Sequence, residues 1–94
     1  MSGGQIEGKG LPAFVGEIAD GFKALNPLIL KKIESGMHKS LFQEIAKIQR
    51  AIRSEPFPTH DIHKIRQRNI RLQRLNTAAT ILQHYAKEKK ILLF

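Results

Sequence analysis

Residues 59–90 read THDIHKIRQRNIRLQRLNTAATILQHYAKEKK, without a glycine or a proline. The absence of both breakers over that length predicts one long helix. At 1.5 Å per residue it would be on the order of 45 Å long. Helical stability comes mostly from packing an apolar face, so a helix of this length needs other helices, its own or a partner's. Its ends are chemically suited to the task. Pro58 precedes it, Thr59 is placed to cap it, and Asp61 falls in the first turn, where the helix dipole favours an anion. Lys87, Lys89 and Lys90 fall at the other end, where cations are favoured.

Two stripes run along this helix. The first, Ile62, Ile65, Asn69, Leu72, Asn76, Ala79, Gln83 and Ala86, has the three-and-four spacing of a coiled-coil seam. Its three amides weaken it, and we favour an apolar face that drifts from Ile65 and Leu72 toward Leu75 and Leu82, leaving the amides at the rim. The second stripe holds Ile70, Ala78, Ile81 and Tyr85. The C-terminal half is therefore apolar on two sides, more than a helix wet on one face requires.

Working back along the chain, Glu55-Pro56-Phe57-Pro58 is a stiff connector that ends one helix and starts the next. So short a link makes its flanking helices antiparallel neighbours. Before it, Leu30, Ile33, Met37, Leu41, Ile45, Ile48 and Ile52 form one stripe over residues 27–54, running through Ser35-Gly36. A break or bend near Gly36 is favoured, and Ser40 with Gln43 could form a capping box for a fresh helix. In residues 11–25, Phe14, Ile18, Phe22 and Leu25 recur at helical spacing, with Gly16 and Gly21 either weakening the helix or allowing a close crossing. Asn26-Pro27 reads as stop and restart. Residues 1–10 read as a flexible tail by their glycines, and residues 11–94 as one helical domain. The expected fold is all-α: an antiparallel hairpin of 27–54 and 59–90 with a shorter N-terminal helix, closing a small three-helix bundle. Ile91-Leu92-Leu93-Phe94 forms a short apolar tail, folded onto that bundle or offered to a partner.

Composition narrows the function classes. Apolar residues are 41% and charged residues 26%, a globular rather than a disordered balance. With no Trp and 6% aromatics, the core must be built from Ile, Leu and Ala with a few Phe. A core this small is marginal, and partner surface would help it. The absence of Cys excludes disulfides, thiolate metal sites and a cysteine nucleophile, and fits a reducing intracellular compartment. The opening MSGGQIEGKG lacks the apolar run of a secretory leader, and nowhere does an apolar run reach the length of a membrane span. Gly3 with Gly8-Lys9-Gly10 approaches a phosphate-binding loop, but Gly10 has no hydroxyl for magnesium.

No catalytic motif is present: there is no nucleophile elbow, no H-E-x-x-H and no convincing acid/base carboxylate pair. His60 and His63 could share a helical face, but a metal site needs a further ligand, and the sequence places neither His38 nor His84 beside them. A helix-turn-helix over residues 28–54 is opposed by Lys31 and Lys32, which stand where a first helix usually buries small or apolar side chains. The chain is accordingly read as non-enzymatic, with no cofactor and no metal.

Two binding surfaces remain. The doubly apolar half of the long helix offers Ile70, Ile81 and Tyr85, with Leu92 and Phe94, to a protein partner or a second copy. The net charge of +8 calls for an anionic counterpart, and antiparallel pairing brings Lys47 and Arg50 to the same end as Lys64, Arg68, Arg71 and Arg74. That end could grip the phosphate backbone of a nucleic acid or an acidic protein surface. The leading reading is a protein-interaction module, a small subunit or adaptor of a larger assembly. The alternative is a basic helical nucleic-acid-binding protein.

Overall fold

The computed structural model describes residues 5–6, 9–33 and 36–93, with side chains from Gly10 onward. Four helices follow in order: α1 (Leu11–Ala19), α2 (Pro27–Lys32), α3 (Met37–Ser54) and α4 (Ile62–Lys89). Helices α3 and α4 pack on each other, and α1 packs on both. His38, in the first turn of α3, meets Tyr85 near the end of α4, whereas Ile52 near the end of α3 shares a groove with Lys64 and Arg68. The hairpin is therefore antiparallel, and the fold is a small all-α bundle. Twenty-eight residues of α4 span about 42 Å at the helical rise, which accounts for the 44 Å long dimension of the molecule.

The core is one cluster drawn from every helix: Phe14, Val15, Ile18 and Ala19 of α1, Leu30 of α2, Leu41, Ile45 and Ile52 of α3, and Leu75, Ala78, Leu82 and Ala86 of α4. On α4 the buried face has drifted as expected. Ile65 and Leu72 are half-buried, Leu75 and Leu82 fully buried, and Asn69, Asn76 and Gln83 exposed. The continuous coiled-coil seam is not used, because amides on the buried side would need partners that a small aliphatic core lacks.

The stripe over residues 27–54 is buried or half-buried at every position, but two helices share it. Helix α2 ends at Lys32 and α3 begins at Met37. Starting α3 at Met37 keeps that buried side chain in line with Leu41. Gly36 precedes the helix without a side-chain cap, so Ser40 lies inside α3 rather than capping it. At the other junction Asn26 caps α2, its Oδ1 accepting from the Ile29 N–H at 2.9 Å, and Pro27 fills the first helical position.

Helix α1 stops at Ala19, six residues before the apolar spacing ends. Gly21 adopts φ +87°. The Phe22 N–H then reaches back to the Glu17 carbonyl at 2.9 Å, and the Gly21 N–H to that of Ile18 at 3.2 Å. A left-handed residue with these paired bonds is a standard helix terminator. Past it the face changes: Leu25 is buried, but Phe22 is 79% exposed. Gly16 does not mark a close crossing, since a methyl group built there meets nothing within 4 Å.

Helix α4 is capped by Asp61, whose Oδ1 accepts from the Lys64 N–H at 3.1 Å, and not by Thr59. Residues 57–61 first turn the chain through bonds from the Thr59 N–H to the Phe57 carbonyl and from the Asp61 N–H to the Pro58 carbonyl. The helix ends on Lys90 at φ 58°, with the Ile91 N–H on the Ala86 carbonyl at 2.8 Å. This turn folds Ile91 and Leu93 back onto the bundle and leaves Leu92 82% exposed. Within residues 1–10, read as a tail, Gln5–Ile6 and Lys9–Gly10 pair as a two-residue antiparallel ladder. Gly3 and Gly8 of the loop-like motif lie outside the described residues, as does Phe94.

Candidate functional site

Helix α2 is only six residues long, and it packs chiefly on α4. One turn of α2 cannot cover the C-terminal half of a 28-residue helix. A groove of about 810 Å³ is left between them. Its floor is apolar, from Leu25, Pro27, Leu28, Ile81 and Tyr85, and its rim carries Lys31, His84, Glu88 and Lys89. Leu28 is 73% exposed, although it sits next to a residue that packs on the core. Apolar surface rimmed by charges is the usual appearance of a site where another molecule docks.

Tyr85 is held in place from two sides. The His38 ring stacks on it with centroids 5.6 Å apart and planes 25° from parallel. The Lys89 ammonium stands 6.0 Å over its centroid. His38 is itself buried, and its Nε2 lies 2.9 Å from the Leu30 carbonyl. A carbonyl only accepts, so Nε2 carries the proton and donates. His38 thus ties the end of α2 to the groove-lining ring of α4. Nothing in the sequence marks that role, because His38 stands beside the apolar stripe rather than on it.

The residues expected to meet a protein partner do not form one continuous surface. Ile81 and Tyr85 are half-buried against the core and line the groove together. Ile70, about one-third exposed, lies farther up α4 beside Asp20, Gln67, Arg71 and Arg74. Leu92 projects at the end of the chain, and Phe94 lies outside the described residues. Leu28 and Leu25, which the sequence did not single out as contacts, complete the apolar floor. The available signal was Asn26-Pro27: a restart there opens a new helix at residue 27 and puts Leu28 on its first turn.

The basic set is divided between internal and external tasks. Arg74 donates from Nη1 to the Ala19 carbonyl at 3.1 Å, closing the end of α1. Arg71 Nε lies 3.6 Å from Asp20 Oδ1, an ion pair too long for a hydrogen bond. Arg68 stacks its guanidinium 5.3 Å over the Phe57 ring. Lys64, Gln67, Arg68 and Arg71 nevertheless line one groove of about 620 Å³ against Ile52, Pro56 and Pro58, with Glu55 at its edge. The Nε atoms of Arg68 and Arg71 are buried without a hydrogen-bond acceptor. Lys47 and Arg50 are exposed on α3, outside the groove that Lys64, Arg68 and Arg71 line.

No protein-family model matches this chain, and no curated protein or solved structure is similar to it. Among the described residues no group of three or more His, Asp or Glu side chains could hold a metal ion, and no helix is long and apolar enough to cross a membrane.

Proposed function

We propose that the chain is a non-enzymatic helical interaction module, a small subunit or adaptor that docks a protein partner in the groove between α2 and the C-terminal half of α4. The observation that supports this is the juxtaposition of exposed Leu28 with Ile81 and Tyr85 on one apolar floor. Tyrosine is among the residues enriched at hot spots, and the apolar neighbours around it exclude water. Leu28→Glu is the informative variant. Ile81→Ser and Tyr85→Ser also remove core contacts, whereas Leu28 faces solvent and can be changed at little cost to the fold. A photoreactive residue at position 28 should cross-link to one reproducible surface, on a partner or on a second copy. The same group at Arg66, which is exposed and lies outside this groove, should not. Cross-links that scatter, or that match those from position 66, would refute the docking assignment.

A second reading rests on the basic end of the hairpin. Lys64, Arg68 and Arg71 converge on one groove, and among the described residues only Arg71 of the three pairs with a carboxylate, Asp20 at 3.6 Å. This supports contact with phosphate, independent of base sequence because none of these groups is evidently placed to read a base edge. With three phosphates neutralised, log affinity for duplex DNA should fall with log salt at a slope of about −2.7. Changing Lys64, Arg68 and Arg71 to Gln should lower both affinity and slope, while Arg74 is kept because it holds the end of α1. Absence of binding to duplex and single-stranded oligonucleotides at low salt would eliminate it.

A further inference from the structure

The groove between α2 and α4 is not only apolar; its electrostatic setting is one-sided. Lys31 stands on the α2 wall and Lys89 on the α4 wall. Lys32, Lys87 and Lys90, all exposed, continue the same two chain segments. Glu88 is the single acidic residue on the lining. An apolar slot with cations on both walls suits a ligand that is apolar on one face and acidic along its edges. The walls are themselves helices, and a third helix laid between two others packs its side-chain ridges into their grooves. Resting on the docking function above, we propose that the occupant is an acidic amphipathic helix. Its apolar residues, at i, i+3 or i+4 and i+7, enter over Leu28, Ile81 and Tyr85, and its Asp or Glu residues meet Lys31 and Lys89. The charge pairs select the partner and speed encounter more than they hold it, because exposed ion pairs add little each.

The test is a displayed library of sixteen-residue amphipathic helices. Their apolar positions are fixed as Leu or Phe, and the flanking positions are free to be Asp, Glu, Lys, Arg, Ser or Gln. Selection on the wild-type chain should enrich Asp and Glu over Lys and Arg at the flanks. Global charge is controlled by two paired variants. Lys31→Glu with Lys89→Glu and Arg53→Glu with Arg66→Glu each take the net charge from +8 to +4, four charges lost by two reversals. The first pair should reverse the flank preference and weaken a selected acidic peptide by about tenfold. The second pair, at the far end of the hairpin, should leave the preference standing. Lys31→Glu alone, on α2 and away from the α4 terminus, keeps the comparison readable if the double variant melts early. Leu28→Glu should weaken every selected peptide. Three results overturn the acidic-helix assignment: flanks that are neutral or basic, a preference that both charge pairs shift equally, or binding indifferent to Leu28→Glu. Failure to enrich any helix at all would count instead against the docking function on which it rests.

Discussion

Gly21→Ala should be among the costliest single-methyl additions in this chain. Gly21 sits at φ +87° and terminates α1. Holding an L-residue in left-handed backbone costs roughly 1–2 kcal/mol. A Cβ built at that position would also lie 2.8 Å from Arg74 Cζ and 3.0 Å from both terminal nitrogens. The obstacle is the far end of a flexible side chain, so it moves rather than resisting. Moving it breaks the Arg74 bond to the Ala19 carbonyl. Solvent reaches Arg74, so that loss is about 1 kcal/mol rather than the larger value of a buried charged bond. Alanine also restricts the unfolded chain relative to glycine, which offsets about 0.5 kcal/mol, so the total is about 1.5–2.5 kcal/mol. For a domain of this size that lowers the melting temperature by roughly 10 °C.

Urea and thermal unfolding followed by circular dichroism read the total, and a double-mutant cycle separates its parts. In an Arg74→Ala background, Gly21→Ala should cost only the backbone share, leaving a coupling of about 1 kcal/mol. A Gly21→Ala protein that melts within two or three degrees of wild type, where ~1 kcal/mol corresponds to roughly 4–8 °C, would refute the left-handed termination. Equal costs in both backgrounds would refute the Arg74 contact.

Gly16→Ala is the opposite case: an interior helical position with open space where the methyl goes, so thermal unfolding should show a gain of roughly 0.5–1 kcal/mol. Lys90→Gly should stabilise by about 0.5 kcal/mol, because relief of the strained φ 58° slightly exceeds the added freedom of the unfolded chain. Asn26→Ala removes the cap on the Ile29 N–H and should cost about 1 kcal/mol. Because α2 is a single short helix, its Ile29 and Leu30 amides should exchange with deuterium much faster while those of α1 change little.

What could be read in advance follows from which interactions are local. The all-α fold and the antiparallel hairpin were legible because spacing along α3 and α4 reports directly on burial. Leu41, Ile45, Ile52, Leu75 and Leu82 all occupy the core. The drift of α4 away from its own seam was legible too, since Asn69, Asn76 and Gln83 cannot be buried cheaply. The end of α1 was not, because Phe22 and Leu25 continue the apolar spacing beyond the turn. Only reading Gly21 as a left-handed terminator, rather than as a weak helical residue, would have stopped the helix at Ala19. The cap moved from Thr59 to Asp61 because backbone bonds over residues 57–61 carry the chain round before the helix begins. The placing of His38 on Tyr85, of Arg74 on Ala19 and of Leu28 beside Ile81 depends on contacts between distant segments, and no pattern within one segment encodes them.

Those long-range contacts give the two ends of the hairpin different characters. At the basic end, α1, its C-cap and the connector occupy the arginines in three ways: the Ala19 carbonyl accepts from Arg74, Asp20 forms an ion pair with Arg71, and the Phe57 ring lies under Arg68. Two of those arginines, Arg71 and Arg74, hold the end of α1 against α4. At the other end, α2 is too short to do for α4 what α1 does. The lysines of α2 and of the α4 terminus have no comparable acceptors described around them, and Leu28 is left in solvent beside a tyrosine fixed by His38. Fixing a ring from below while leaving its neighbour uncovered costs stability in the free chain. The same arrangement lowers the ordering cost on docking, because one wall of the site is already in place. For this reason the more open end, rather than the more basic one, carries the docking proposal.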